Sequence, residues 1–374
     1  MNDVQCRTVL SKDPNLAAII AAITNAVPVQ SIILLGSRAT GLAHKNSDYD
    51  VIAVMRTASA VRHYRRLKRV QHELTTALGV DVSVNPLTGL AMNRARGNLF
   101  LYKVKREGIT IYGKDALTSL ECGEPADIPM DRYFSFLFST LRNLLEFAGP
   151  GIVDSPDAVL RGPAALAVAK GLLACGELHL LLRGAYEQGP EAMLLRLKSE
   201  VNGDTCLENL VNGIPEAIKV RKMGAGAAIS SDAWFRCRGQ VYSLFLDLMD
   251  RTTGLGIDDP LALGDVYVRQ GGAGMAKNLE YFGLLWLGKR RFSWRGLLPW
   301  RRATRRARIA LLLLALALEA DGACRSAYIG QTRSLLGTFL RLPRPVGESS
   351  ADWRVLHREI YEHWPYLETV MGFR

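Results

Sequence analysis

The sequence predicts an α+β amino-terminal domain, a small mixed sheet with helices, followed by a mainly α-helical carboxy-terminal domain. Over the first 115 residues, short apolar runs typical of strands alternate with longer stretches of helical periodicity. From about residue 130, Leu- and Ala-rich stretches of helical length replace them. A length of 374 residues is typical of two domains. We therefore expect one domain at 1–115 and a second at 116–374.

The first domain is predicted to hold strands and helices in alternation. A helix is expected from Asp13-Pro14 to about Ala26, because Asp is a good N-cap and Pro favours the first helical position. The other elements are a strand at Ser31–Leu35, a strand at Tyr49–Met55, a helix at Thr57–Leu78, a strand at Val80–Val84, a helix within 87–106 and a strand at Ile109–Tyr112. Gly79 is expected to end the long helix.

The second domain is predicted to be a helical assembly without strands. Helices are expected at 130–148, 157–183, 190–200, 231–251, 275–288, 303–320, 325–341 and 352–370. Stretches rich in Gly, Pro and Asp predict loops near 149–156, 201–214 and 253–264. The chain shows no internal repeat that would indicate a solenoid.

The composition indicates a folded, basic protein. It is 48% hydrophobic and 22% charged, with a formal net charge of +11. Residues 1–115 hold 16 basic and 8 acidic side chains, and Lys289–Arg308 holds nine basic side chains and no acidic one. Concentrated positive charge suits polyanionic partners, a nucleoside triphosphate at least.

The Lys289–Arg308 segment, here called the basic segment, interleaves arginines with Trp294 and Trp300. Arginine neutralises phosphates and tryptophan stacks on bases, so one interpretation is contact with RNA or DNA. The alternative is a basic loop that docks on acidic helices of the same domain. A helix through 303–308 is expected to present Arg305 and Arg308 on a single outward basic stripe.

The cysteine pattern predicts a reducing, cytoplasmic location. The six cysteines are scattered and form no Cys-x-x-Cys pair, which argues against a disulfide framework or a zinc site. The start of the sequence lacks the basic and apolar regions of a signal peptide. The longest apolar run, Ile309–Leu318, is too short to cross a bilayer, so no membrane span is expected.

The candidate functional residues of the first domain are concentrated in one short stretch. A predicted buried strand ends in Gly36-Ser37, and the next strand opens with Asp48 and Asp50. Side chains alternate along a strand, so the two carboxylates project to the same side. Glycine permits close backbone approach, and successive N–H groups with a Ser hydroxyl can cradle a phosphate. The pattern suits a divalent metal that carries nucleotide phosphates.

The Gly-Ser turn, the spacer and the Asp-x-Asp strand resemble the signature of the DNA polymerase beta-like nucleotidyltransferase superfamily. The form Gly-Ser-Arg-Ala-x-Gly with Ser-Asp-x-Asp is most similar to its small bacterial members, the minimal and the aminoglycoside nucleotidyltransferases. The resemblance covers about residues 28–115. It implies a third carboxylate on an adjacent apolar strand, for which Asp81 is the candidate.

The resemblance implies a role for each residue of the motif. Asp48, Asp50 and Asp81 would be the catalytic residues and the ligands of two Mg²⁺ ions. Gly36 and Ser37 would bind the triphosphate, with ATP as the expected substrate. Arg38 would either neutralise charge there or stabilise the loop, and both alternatives stay open.

The function implied is Mg²⁺-dependent transfer of a nucleoside monophosphate to an acceptor hydroxyl. We expect a macromolecular acceptor, an RNA end or a protein, in a toxin or defence setting. One alternative is an aminoglycoside-type antibiotic nucleotidyltransferase. A second is a catalytically inactive binding module that keeps the fold.

Overall fold

The computed structural model describes residues 13–41, 43, 47–93, 95–155, 157–256, 259–269, 303–338, 342–345 and 349–371. The chain divides into two compact units. The first comprises Met1–Tyr133, Glu177–Glu200 and Arg221–Gly226, and the second comprises Phe134–Gly176, Val201–Val220 and Ala227–Arg374. A domain boundary at residue 115 stays a prediction.

A four-stranded mixed sheet forms the centre of the first unit. Its strands are β1 (Ser31–Leu35), β2 (Tyr49–Met55), β3 (Val82–Thr88) and β4 (Ile109–Gly113), in the order β3-β2-β1-β4. β1 pairs antiparallel with β2 and with β4, whereas β2 and β3 are parallel. The small mixed sheet expected from the sequence is confirmed.

Helices accompany these strands along the chain. They are α1 (Asn15–Ala26), α2 (Gly36–Thr40), α3 (Thr57–Leu78), α4 (Gly89–Met92) and α5 (Leu99–Glu107). α3 ends at Gly79, whose φ of 65° is the left-handed conformation expected there. α1 begins at Asn15, one residue later than expected, with Pro14 rather than Asp13 at the N-cap position. The Asp13 carboxylate nevertheless accepts a hydrogen bond from the Asn15 main-chain N–H at 3.1 Å.

One face of the sheet is covered by α1 and α3, whose apolar residues enter its core. Leu16, Ile19 and Ile23 of α1 and Leu67 of α3 are fully buried in one cluster with side chains of β1, β2 and β3. Burial of apolar area on this scale is the main term that holds the layers together. The polar ends of the strands therefore have a rigid support.

The third strand differs from the prediction. It spans Val82–Thr88 rather than Val80–Val84, and it includes Pro86. Proline is tolerated because β3 is an edge strand of the sheet, where one side of the ladder has no partner. Asp81 consequently lies just before the strand, not inside it, and is exposed.

The rest of the described chain is mainly helical. It contains α6 (Met130–Asp154), α7 (Pro163–Leu182), α8 (Pro190–Glu200), α9 (Thr205–Met223), α10 (Ser231–Thr253), α11 (Pro260–Arg269), α12 (Ala303–Ala317), α13 (Gly322–Gly337) and α14 (Ser349–Met371). Two three-residue strands, β5 (Val159–Arg161) and β6 (Ala228–Ser230), pair antiparallel, so the expectation of no strands was wrong. The helix expected at 275–288 lies outside the described residues.

Two helices were expected as loops. α9 contains Gly213 and Pro215, which lower helix propensity, yet Leu207, Leu210 and Ile214 are buried and tertiary packing outweighs that cost. α11 begins at Pro260, and the Asp259 carboxylate accepts from the N–H groups of two following residues. An Asp-Pro pair is a helix start signal, so α11 was predictable.

α7 is the one described helix of at least 18 residues that is apolar enough to cross a membrane by length and composition alone. Two thirds of its most apolar window, 67%, is buried inside the protein. A buried core helix of a folded protein has the same composition, so the apolar character of α7 needs no membrane to explain it.

The outward basic stripe expected on α12 was wrong for Arg308. Its side chain is only 2% exposed and donates hydrogen bonds to the Tyr267 and Ser135 hydroxyls. Arg305 donates to the Tyr267 main-chain oxygen at 2.8 Å and lies over the same ring. A guanidinium can satisfy its donors against hydroxyls and aromatic faces when it is buried. Residues 289–302 of the basic segment lie outside the described residues.

A stack of three aromatic rings on α14 packs against α6. His357 stacks between Trp353 and Tyr361, with ring centroids 4.8 Å and 4.4 Å apart, and its Nε2 lies 3.2 Å from the Leu145 main-chain oxygen. Burial lowers the pKa of His357, and the Leu145 carbonyl and the Glu146 carboxylate only partly oppose it. The folded state therefore favours the neutral imidazole.

The lowered pKa of His357 predicts loss of stability in mild acid. A base whose pKa falls on folding must release its proton, so its contribution is present above the unfolded pKa of about 6.5 and is lost as pH falls below it. We expect the melting temperature of the wild type to fall more between about pH 7.5 and pH 5.5 than that of His357→Gln. His72→Gln, at an exposed position, is the control and should fall like the wild type. An equal fall in His357→Gln would contradict the assignment.

Candidate active site

The motif residues meet at one edge of the sheet in the first unit. β1 and β2 are antiparallel, and the register pairs Leu35, the last residue of β1, with Asp50 near the start of β2. Gly36 and Ser37 follow Leu35 directly and open the short helix α2. The antiparallel pairing therefore brings the Gly-Ser turn beside the Asp-x-Asp strand, as the sequence spacing predicted.

Gly36 lies directly against the Asp50 carboxylate. A Cβ atom built on Gly36 would stand 2.9 Å from Asp50 Oδ2, closer than real Cβ atoms approach an oxygen. The φ of Gly36 is also positive, at 69°, a conformation that side chains disfavour. The positive φ disfavours any side chain at this position, and an added Cβ would have to displace the Asp50 carboxylate.

The alternation of β2 separates its polar and apolar side chains. Tyr49 and Val51 are buried in the core beneath α1 and α3. Asp50 lies between them and projects to the other face. Asp48 lies just before the strand, two residues earlier. Both aspartates are half-buried.

Asp81 stands next to this pair through the parallel strand. Tyr49 pairs with Val82 and Asp50 with Ser83, and the Tyr49 N–H donates to the Asp81 main-chain oxygen at 2.9 Å. The backbone therefore places Asp81 beside Asp48. Among the described residues, no group of three or more His, Cys, Asp or Glu side chains is arranged to hold a metal ion. A metal-binding role for Asp81 stays a prediction.

The residues present fit a divalent cation that arrives with a nucleotide. Mg²⁺ prefers oxygen ligands and is commonly held by one or two carboxylates together with substrate phosphates, rather than by a complete protein cage. Asp48, just before β2, and Asp50, near its start, supply two such carboxylates. The Gly36 backbone lies next to the Asp50 carboxylate, so its N–H group stands near the proposed cation site.

Arg38 binds the chain that leads into Asp48. Its Nε and Nη2 donate to the Ser47 main-chain oxygen at 3.1 Å and 2.6 Å, and Nε also lies 3.2 Å from the Asp48 main-chain oxygen. Its Nη1 forms an ion pair with Asp13 at 2.7 Å. These contacts agree with the loop-stabilising alternative for Arg38; nucleotide binding by Arg38 stays a prediction.

Tyr49 and Asp13 complete this arrangement, and their part in it was not foreseen from the sequence. The Arg38 guanidinium lies 3.6 Å from the centroid of the Tyr49 ring, and the Tyr49 hydroxyl donates to both Asp13 carboxylate oxygens at 2.9 Å. Burial and the Asp13 carboxylate raise the pKa of Tyr49, which keeps its hydroxyl a donor. The sequence signal that could have indicated this role is the position of Tyr49 between Asp48 and Asp50.

Helix α5, which packs against α2, takes part in a group of half-buried polar side chains. Lys103 forms an ion pair with Glu177 at 2.9 Å, and the Tyr186 hydroxyl donates to Glu107. Burial alone would lower the pKa of Lys103, but Glu177 and Glu107 outweigh it and raise that pKa. Burial raises the pKa of Glu177. Removing one partner of such a pair leaves an uncompensated charge, so this group fixes α5 in the first unit.

Comparison with known proteins identifies the segment that carries this site. Residues 17–117 match the family model described as "Polymerase beta, Nucleotidyltransferase". These residues form a polymerase beta-type nucleotidyltransferase domain. The matched range contains the whole four-stranded sheet and the Gly36, Asp48, Asp50 and Asp81 positions, so the expected family and enzyme class, nucleotidyltransferase, are confirmed.

Two solved structures resemble part of the chain. One is described as a toxin-antitoxin with AMP-PNP and is 23% identical, and the other is the toxin-antitoxin MntA-HpeT mutant, 21% identical. Each likeness covers 26% of this chain and 73% of the other, with a TM-score of 0.21. Likenesses this limited do not decide the function. No curated protein matches the chain.

The contact between Gly36 and Asp50 predicts that Gly36→Ala damages the nucleotidyltransferase domain in two ways. The positive φ costs about 1–2 kcal/mol of stability for any side chain, and the new Cβ displaces the Asp50 carboxylate. Gly41→Ala is the matched control, because Gly41 has a φ of 78° but no atom within 4 Å of an added Cβ. Denaturant unfolding should show a similar loss of stability in both variants. Mn²⁺–nucleotide binding should be lost only in Gly36→Ala. Equal binding in the two variants would contradict the contact.

Proposed function

We propose that the protein transfers a nucleoside monophosphate from an NTP, ATP first among those expected, to an acceptor hydroxyl. The acceptor oxygen forms a bond to the α-phosphorus, the bond to the β-phosphate oxygen breaks, the hydroxyl proton leaves to a base, and pyrophosphate is released. The single observation that supports this most directly is the close approach of Gly36 to the Asp50 carboxylate, near the start of β2 and two residues after Asp48.

The residues of the sheet edge would divide the work. Asp48 and Asp50 hold the nucleotide through its divalent cations, with Asp81 as the third carboxylate and the acceptor of the hydroxyl proton. Ser37 and the Gly36 backbone contact the triphosphate. Mg²⁺, when bound, neutralises phosphate charge and favours in-line displacement, and two ions are the expected number. The positive balance of residues 1–115 attracts the nucleotide.

For the acceptor we propose a macromolecule, an RNA end or a protein, in a toxin or defence setting. In the described part of the basic segment, Arg305 and Arg308 pack against Tyr267. The proposal of an RNA acceptor therefore depends on residues 289–302. An aminoglycoside-type hydroxyl acceptor is the alternative. A cytoplasmic location, expected from the cysteine pattern, suits all three.

A second candidate function is nucleotide binding without transfer. Two observations favour it. Asp81 is exposed, and the described residues include no group of three His, Cys, Asp or Glu side chains arranged to hold a metal ion. A binding module would keep the Asp48 and Asp50 carboxylates for the nucleotide but would form no covalent product.

Label transfer tests the proposed function. The full-length protein is incubated with Mg²⁺ and each α-³²P-labelled NTP, together with total RNA, lysate protein or aminoglycosides. We expect one acceptor class to become labelled by the wild type and labelling to fall at least about a hundredfold in Asp50→Asn, because even residues that only support a metal ligand matter tenfold to a hundredfold. Glu73→Gln, an exposed change on α3, is the matched control and should label normally.

Stability separates a catalytic effect from a folding effect in that experiment. Clustered carboxylates repel one another, so Asp50→Asn should melt no lower than the wild type. Wild-type binding of NTP without label in any acceptor would favour the binding module. Near-full labelling by Asp50→Asn would contradict the role proposed for Asp50.

A further inference from the structure

Arg38 is held so tightly that its position is set by the protein rather than by a ligand. Its side chain is only 12% exposed. One edge of the guanidinium faces main-chain oxygens, one nitrogen faces the Asp13 carboxylate, and the plane lies over the Tyr49 ring. A planar fork with fixed donors suits such a site, whereas a lysine ammonium cannot reproduce it.

The bonds from Arg38 end on the backbone next to the candidate metal ligands. The Ser47 and Asp48 main-chain oxygens both accept from it, and Asp50 follows two residues later at the start of β2. Arg38 itself is fixed to the Gly-Ser turn, because it lies in α2 one residue after Ser37. It therefore connects the two halves of the motif across the sheet edge.

Asp13 and Tyr49 hold Arg38 in place from the other side. Asp13 accepts from Arg38 at 2.7 Å, from the Tyr49 hydroxyl at 2.9 Å and from the Asn15 main-chain N–H at 3.1 Å. Tyr49 is fully buried and lies between Asp48 and Asp50 along the strand. A network in which each polar group has partners is rigid and loses more than one bond when a member is removed.

We propose that Arg38 is a positioning residue, fixed by Asp13 and Tyr49, which sets the Asp48 and Asp50 carboxylates at the spacing that a divalent cation with its nucleotide requires. The inference rests on the proposed function. Arg38 acts through the Ser47 and Asp48 backbone and touches no phosphate. Its loss raises the concentration of metal and nucleotide needed, while the reaction at saturation is affected less.

The opposite assignment, in which Arg38 contacts a phosphate directly, makes a different prediction for Asp13. Removing the Asp13 charge would then release the guanidinium and leave nucleotide affinity unchanged or stronger. Under the positioning role, Asp13→Asn removes the anchor of Arg38 and weakens affinity in the same direction as Arg38→Lys. Asp13 therefore separates the two roles, although it is not part of the motif.

The test measures Mn²⁺ retention by full-length protein in the presence of non-hydrolysable analogues of the four NTPs, supplied together and followed by the EPR signal of free Mn²⁺. We expect Arg38→Lys and Asp13→Asn each to weaken retention about tenfold to a hundredfold, as for supports of metal ligands. Arg96→Lys and Asp127→Asn are the matched controls, from an exposed ion pair in the same unit, and should bind normally. Tyr49→Phe, which removes only the hydroxyl, should weaken retention less.

The melting temperature of each variant is measured alongside binding. Weakened retention by Arg38→Lys with normal or stronger retention by Asp13→Asn would overturn the positioning role in favour of a direct phosphate contact. Normal retention by both would overturn it altogether. If either protein fails to fold, normal retention by Tyr49→Phe overturns it. Equal retention by the wild type and Asp50→Asn would instead refute the proposed function itself.

Discussion

The site depends on one close approach, that of the Gly36 backbone to the Asp50 carboxylate. An added Cβ would stand 2.9 Å from Oδ2, so a side chain at residue 36 would displace the carboxylate. The antiparallel pairing of Leu35 with Asp50 produces the approach, and the core beneath α1 and α3 keeps both strands in register. A small sheet thereby carries hard oxygen ligands next to bare backbone, which is what a phosphate with its cation requires.

The ionic network of Arg38, Asp13 and Tyr49 lies on the other side of the motif, where it supports the segment that leads into β2. Asp48 stands outside β2, where the sheet no longer fixes its backbone. In place of strand–strand hydrogen bonds, Arg38 donates hydrogen bonds to the main-chain oxygens at positions 47 and 48. Charges that are more than four-fifths buried are costly unless paired, and the ion pair with Asp13 and the Tyr49 hydroxyl offset that cost.

The sequence was sufficient for local elements and for the motif, but less so for packing. Strands Ser31–Leu35 and Tyr49–Met55 and helix Thr57–Leu78 were predictable because periodicity and end signals agree. α9 was missed because its Gly213 and Pro215 argue against a helix that packing stabilises. Asp81 was expected inside a strand because it stands between Val80 and Val82, although β3 begins only at Val82. Arg308 shows that charge spacing does not reveal which arginine is buried, since that depends on distant Tyr267 and Ser135.

The most direct test of the site is paramagnetic broadening by Mn²⁺ in ¹⁵N-glycine-labelled protein. Gly36 lies at the proposed metal site, just past one end of β1, whereas Gly113 pairs with Ser31 at the opposite end of that strand, which is itself roughly 13 Å long. With substoichiometric Mn²⁺ and non-hydrolysable NTP analogues, we expect the Gly36 amide resonance to broaden well before that of Gly113, and this difference to disappear in Asp50→Asn. Equal broadening of the two resonances in the wild type would contradict a nucleotide-carrying metal at this edge of the sheet.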